Sequence, residues 1–238
     1  MDRLFTPPEW SEEHLKYLDE HMSSLNREDV IIYHVGANTG QELEQFFNFF
    51  NSGKIYCFEA NPTCIHLLEE NLNEIKSSHS NQNIEVEIIN AAVCNKNGKV
   101  TLYRNSEMFG DAHQSATIMP KHEPHALKRR DVHHEEKVEV NAITLNSFSK
   151  ERKISHVDLI WADVEGAQGE LLMGASNILT SVDYIFIEHS PLWGGWSKFE
   201  IHEYLDNDFL HIATIAQDII FKNKNTKKIK QFIKNYKG

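Results

Sequence analysis

Four short stretches carry side chains able to bind or react, each where an apolar run gives way to small or acidic residues. Gly36 and Gly40 bracket Ala37, Asn38 and Thr39 directly after the run Val30 to Val35. Two glycines at this spacing let a backbone turn sharply and approach a ligand at the start of a helix. A plain strand-to-helix turn uses the same pattern, so its meaning depends on the second stretch, Phe58-Glu59-Ala60-Asn61-Pro62. A carboxylate at Glu59 can accept both hydroxyl protons of a ribose lying over the first turn, and would repel a phosphate. The turn lacks the G-x-G-x-x-G arrangement that brings a helix N-terminus to a pyrophosphate, which favours a nucleoside without diphosphate over NAD.

The third stretch is Asn90-Ala91-Ala92 and the fourth Asp163-Val164-Glu165-Gly166. Asp163 and Glu165 form a carboxylate pair suited to general base work or, with other oxygen ligands, to a divalent cation. Helix capping by Asp163 and a dipole interaction by Glu165 are the structural alternatives. Glu188-His189-Ser190 follows another apolar run. An imidazole, with an ordinary pKa near ~6.5, is a better proton acceptor at neutral pH than an ordinary carboxylate. His189 is therefore the favoured base, with Asp163 orienting an acceptor or a metal.

These residues need a scaffold that brings strand ends together. Helical spacing of Leu15, Leu18, Met22 and Leu25 after Ser11 predicts an N-terminal helix over 11–25, lying against the sheet. Strands are expected at Val30 to Val35, Lys54 to Glu59, Ile84 to Asn90, Val157 to Ala162 and Asp183 to Glu188. Helices are expected around Phe46 to Phe50, after Pro62, after Gly166 and around Ile201 to Leu205. Asn97-Gly98 reads as a hairpin turn within Val93 to Tyr103, and regular structure resumes over Val138 to Leu145. Phe209 to Ile215 and Asp218 to Phe221 read as a closing antiparallel pair. The expectation is a single α/β domain: a doubly wound, mostly parallel seven-stranded sheet of Rossmann-like type with a terminal antiparallel hairpin, its core over 29–222. In such sheets ligands bind outside the carboxyl ends of the strands, where all four stretches fall.

Composition narrows the function. At 238 residues with 40% apolar side chains, the chain can bury one sizeable core. No apolar run approaches the ~18 residues of a membrane span, and the first residues lack a secretory pattern, so a cytoplasmic location is expected. Cys57, Cys64 and Cys94 form neither a disulfide set nor a zinc knuckle and read as reduced, partly buried thiols. A net charge of -11 argues against a surface devoted to nucleic acid. Yet seven lysines and no acid follow from Lys222 onward, so a local contact with nucleic acid through the 222–238 segment is a secondary possibility. Residues 105–136 are polar and rich in histidine without a zinc-binding pattern, and read as a loop or lid. Trp193 and Trp196 flank two glycines in a loop that suits a sugar ring or simply covers the core.

Taken in order, His34-Val35-Gly36-Ala37-Asn38-Thr39-Gly40, Phe58-Glu59-Ala60-Asn61-Pro62, Asn90-Ala91-Ala92-Val93 and Asp163-Val164-Glu165-Gly166-Ala167 resemble the motifs of the FkbM family of methyltransferases. The resemblance spans about residues 30–190. It implies a class I methyltransferase fold, S-adenosylmethionine as donor and an oxygen acceptor on a sugar, glycan or other small molecule. It also implies that the first block wraps the methionine end of the donor, Glu59 binds its ribose, Asn90 and Ala91 lie beside the adenine, and the Asp163 block sits beneath the methyl group. Ser115, in Gln114-Ser115-Ala116-Thr117, belongs to a further stretch similar to the family and is a candidate cofactor contact. Two positions depart from the pattern: His34 stands where the family usually has Asp, and Gln168 replaces a commoner acid.

Overall fold

The computed structural model describes residues 29–104, 116–119, 136–189, 194–215 and 217–225. The expected helix over 11–25, Ser115, Trp193 and the lysines beyond Asn225 lie outside them. The first half alternates strands and helices: β1 (Val30–Val35), α1 (Leu43–Phe49), β2 (Ser52–Phe58), α2 (Pro62–Ser78) and β3 (Asn83–Ile89). After two short strands, β4 (Ala92–Val93) and β5 (Gly98–Arg104), come β6 (Glu136–Ile143) and α3 (Leu145–Arg152). The chain continues through β7 (Val157–Ala162), α4 (Gln168–Gly174), β8 (Val182–Glu188) and α5 (Lys198–Leu205) to the hairpin β9 (Phe209–Ile215) and β10 (Asp218–Asn223).

The main sheet runs β3-β2-β1-β7-β8-β10-β9. Its first five strands are parallel, while β10 runs antiparallel to both β8 and β9, as the apolar runs and closing pair led one to expect. β7 is buried along its whole length, the mark of a parallel strand covered on both faces. α1 and α2 press Phe46, Phe47, Leu68 and Leu72 against one face, meeting Ile32, Trp161 and Phe186. α3, α4 and α5 cover the other with Phe148, Leu171, Leu172 and Ile201, meeting Tyr33, Phe58 and Ile185. None of the described helices is long and apolar enough to cross a membrane. The three cysteines are free and buried.

A second sheet, β4-β6-β5, corrects the expected hairpin. Asn97 does precede β5 and Gly98 opens it, but β4 and β5 do not pair; β6 lies between them, parallel to β4 and antiparallel to β5. Asn97 is occupied elsewhere, its Oδ1 accepting from the Thr144 amide at 2.9 Å and the Ser147 hydroxyl at 2.7 Å. β6 ends at Ile143, and Leu145, the last residue of the expected regular stretch, opens α3 behind a Thr144 cap. This small sheet stands at the carboxyl ends of β1 and β2, carrying Ala92, Val93 and Leu102 to the same space as Gly36 and Glu59.

Candidate active site

The cleft forms where β1, β2 and β7 end. Asp163 N donates to Val35 O at 2.9 Å, and Gly36 N and Ala37 N both donate to Phe58 O at 2.9 and 3.0 Å, so the three strand ends are laced together. Gly36 has φ +78°, and a Cβ there would lie 1.7 Å from Asp163 O. Only glycine allows that approach. Asn38 also takes a positive φ of 47°. From α2, Asn71 Nδ2 reaches back to Thr39 O at 2.7 Å and fixes the turn from behind.

Glu59 is the keystone of this end. One carboxylate oxygen accepts from Asn38 N at 2.7 Å and the other from Asn61 N at 2.6 Å. Burial pushes its carboxyl above the ordinary value, and the two amide donors oppose that rise. Each carboxylate oxygen keeps a further lone pair for a ligand. The cleft is partly open to solvent, with Gly36, Asn38, Glu59, Ala60, Ala91, Ala92, Asp163 and Glu165 among its walls. Asn38 Oδ1 is buried and lacks a partner among the described residues, an acceptor waiting for a donor.

A second acidic group lines the same cleft. Asp163 is exposed to the cleft while protein surrounds it on the remaining sides. Its carboxyl stands beside that of Glu188, with the Glu165 backbone amide turned toward it. Carboxylate oxygens of Asp163, Glu165 and Glu188 all lie within 4.8 Å of one another. Burial lifts both Asp163 and Glu188 above the ordinary carboxylate range, and the neighbouring negative charge adds to the rise at Glu188. Two carboxyls this close, with raised values, favour keeping a proton between them. Glu165 has φ 43°, and the Thr117 hydroxyl donates to its carbonyl at 2.6 Å, tying the turn to the segment 116–119.

Other expected residues stand nearby without forming the wall. His34 is buried beneath the turn, its edge against Phe46 and its Nε2 3.2 Å from Glu42 Oε2. Ala37 is buried within the turn, and Gly40, with φ +82°, packs against Leu43 and Leu68. Asn61 caps α2 and accepts from Arg104 at 3.1 Å, while Asn90 Nδ2 donates to Glu59 O at 2.8 Å. His189 follows β8 at the same sheet edge but is not among the cleft residues. Burial, aided by Lys198, pulls its imidazole below the ordinary value. Trp196 packs against Gly169 of α4 and Tyr204 of α5, the structural role open to it. Glu188 and Thr117 are the site residues that sequence reasoning passed over. Glu188 carried one available signal, an acid ending a strand beside the Asp163 strand, and Thr117 sits in the small polar stretch that holds Ser115.

A doubly wound sheet with a reversed last hairpin, and a cleft combining a glycine turn with a carboxylate at the neighbouring strand end, define a class I methyltransferase architecture. Residues 34–230 match the Methyltransferase FkbM domain, and the chain belongs to this family of S-adenosylmethionine-dependent methyltransferases. It is 26% identical over 180 residues to the 2-O-methyltransferase NoeI of Sinorhizobium fredii, a match covering 74% of this chain and 70% of that protein. The structure of the FkbM methyltransferase of Methylobacillus flagellatus superposes with a TM-score of 0.50 at 11% identity. That superposition covers 82% of this chain but 43% of the other, so this chain spans less than half of that relative.

Proposed function

We propose that the cleft binds S-adenosylmethionine through Gly36, Asn38 and Glu59 and that the chain methylates a hydroxyl oxygen of a sugar, glycan or other small molecule. The observation that carries the reading is the pairing of Glu59, with lone pairs free for ribose hydroxyls, and Asn38 Oδ1, a buried acceptor without a partner among the described residues, on one cleft wall. The donor's hydroxyls and ammonium group offer the hydrogens those acceptors lack. Similarity to a 2-O-methyltransferase supports oxygen as the acceptor atom.

When bound, S-adenosylmethionine supplies an electrophilic methyl group on a positively charged sulfur. The chain's own task is to hold a hydroxyl in line with that methyl, exclude water and receive the hydroxyl proton. Asp163, on the cleft wall, is better placed to receive it than His189, which is not among the described lining residues. Small apolar residues, Ala60, Ala91, Ala92 and Ala116, leave room for a planar base between β4 and the 116–119 segment. Incubation with methyl-labelled donor and a panel of glycans and small hydroxyl compounds is expected to give label stable to mild base, as an ether is. Label in RNA, with transfer weakened by salt, would instead assign the lysine-rich segment a phosphate-binding role. Donor binding without transfer to any class would make the chain a nucleoside-binding module.

A further inference from the structure

We propose that the Asp163–Glu188 carboxyl pair senses the charge on the donor sulfur, giving up its shared proton when the sulfonium binds and so becoming the base only once the donor is in place. The inference rests on the donor site proposed above. Its geometry is the acidic edge: two carboxyls with oxygens within 4.8 Å of each other at the ends of adjacent parallel strands, Asp163 facing the cleft and Glu188 Oε2 buried with no partner among the described residues. Two acids crowded at one cleft edge keep a proton because two negative charges in one poorly solvated place repel. The raised values of both groups agree with that state in the ligand-free chain.

The charged groups around the pair set the balance. Glu165 on the same turn, Glu42 before α1 and Asp218 on β10 add negative charge, which holds the proton in place. His34 acts in the opposite sense on Asp163. A positive sulfur beside Asp163 outweighs this acidic field and favours the doubly ionised pair. During transfer the S–CH3 bond breaks with its electron pair staying on sulfur, an O–CH3 bond forms, and the acceptor's hydroxyl proton passes to the pair. Sulfur is then neutral and the pair again holds one proton, the state in which it favours release of the thioether product. The device separates donor from product by charge, the one property that a single methyl group changes greatly.

The test is calorimetric titration of the full chain with S-adenosylmethionine and, separately, with S-adenosylhomocysteine, each in buffers of different ionisation enthalpy at neutral pH. Comparing the two cancels the amine and carboxylate that both ligands share. The expected result is release of about one more proton with the sulfonium than with the thioether. Glu188→Gln and Asp163→Asn should each abolish the difference, the first keeping the side chain's size and hence the fold. Equal proton release for both ligands, or a difference unchanged in Glu188→Gln, overturns the inference while leaving donor binding intact. If neither ligand binds, the donor-site reading fails with it. If magnesium or manganese alone raises the melting temperature and Glu188→Gln removes that rise, the carboxylates hold a cation and the shared-proton inference is overturned.

Discussion

Glu59 spends both carboxylate oxygens on backbone amides, which orients the turn at Asn38 and the start of α2 at Asn61 together. Replacing it by Gln turns one oxygen into an NH2 group facing an amide N–H. That leaves a buried donor unsatisfied, at about 1–3 kcal/mol. Glu59→Gln should therefore lower the melting temperature and weaken donor binding measured by calorimetry; an unchanged donor affinity would separate this residue from the ligand. His34 invites the opposite expectation from one based on the usual family residue. Because its ring lies 3.2 Å from Glu42 and beneath the turn, His34→Asp sets a second carboxylate beside Glu42 rather than offering one to the cleft. Lower stability with no gain in donor affinity is expected, and Glu42→Gln in the same chain should restore most of the loss. A several-fold tighter donor complex in His34→Asp alone would show that the position does reach the ligand.

At the scale of elements, the turn after β1 works because β7 ends against it. Gly36→Ala should abolish donor binding, since its Cβ would overlap Asp163 O. Gly194 has φ +77°, but a Cβ there would meet nothing within 4 Å among the described residues. Gly194→Ala should therefore cost only the left-handed backbone penalty of about 1 kcal/mol and leave binding unchanged. Melting curves and donor titrations of the two variants test the contrast, and equal loss in both would deny the turn its special role. The main strands and their closing hairpin were legible in the sequence because buried parallel strands must be almost continuously apolar, as in Val157-Asp158-Leu159-Ile160-Trp161-Ala162. The small sheet was not, since two-residue β4 gives no pattern and the order β4-β6-β5 depends on a long-range partner. α3 escaped because Leu145–Arg152 is mostly polar, with few apolar positions. Glu59 and Asp163 were legible as residues just past strand ends, and Asn38 as part of the turn after β1. Glu188 required sheet order: the register pairs Ala162 with Ile187, so Asp163 and Glu188 leave neighbouring strands at the same level. The burial of His34 follows from alternation in β1, which sends Tyr33 and Val35 to one face and His34, paired with Cys57, to the other.

For the whole molecule, the acidic edge links stability to pH. The folded chain keeps protons on Asp163 and Glu188 that the unfolded chain releases at ordinary carboxylate values. Their contribution is therefore full below the ordinary carboxylate range and is lost as pH rises toward the raised folded values. The melting temperature of the unaltered chain minus that of Glu188→Gln should fall steadily from pH 5 to pH 9; a flat difference would mean that Glu188 titrates as it does unfolded. The same cleft holds Glu59 beyond the end of β2 and Asp163 beyond the end of β7, and donor ribose is assigned to the first and donor sulfur to the second. The most direct test of that assignment is the crystal structure of the chain with S-adenosylhomocysteine. Ribose hydroxyls within hydrogen-bond distance of the Glu59 carboxylate and sulfur beside Asp163 are expected. A ligand bound elsewhere, or lying in the cleft with Glu59 untouched, would contradict it.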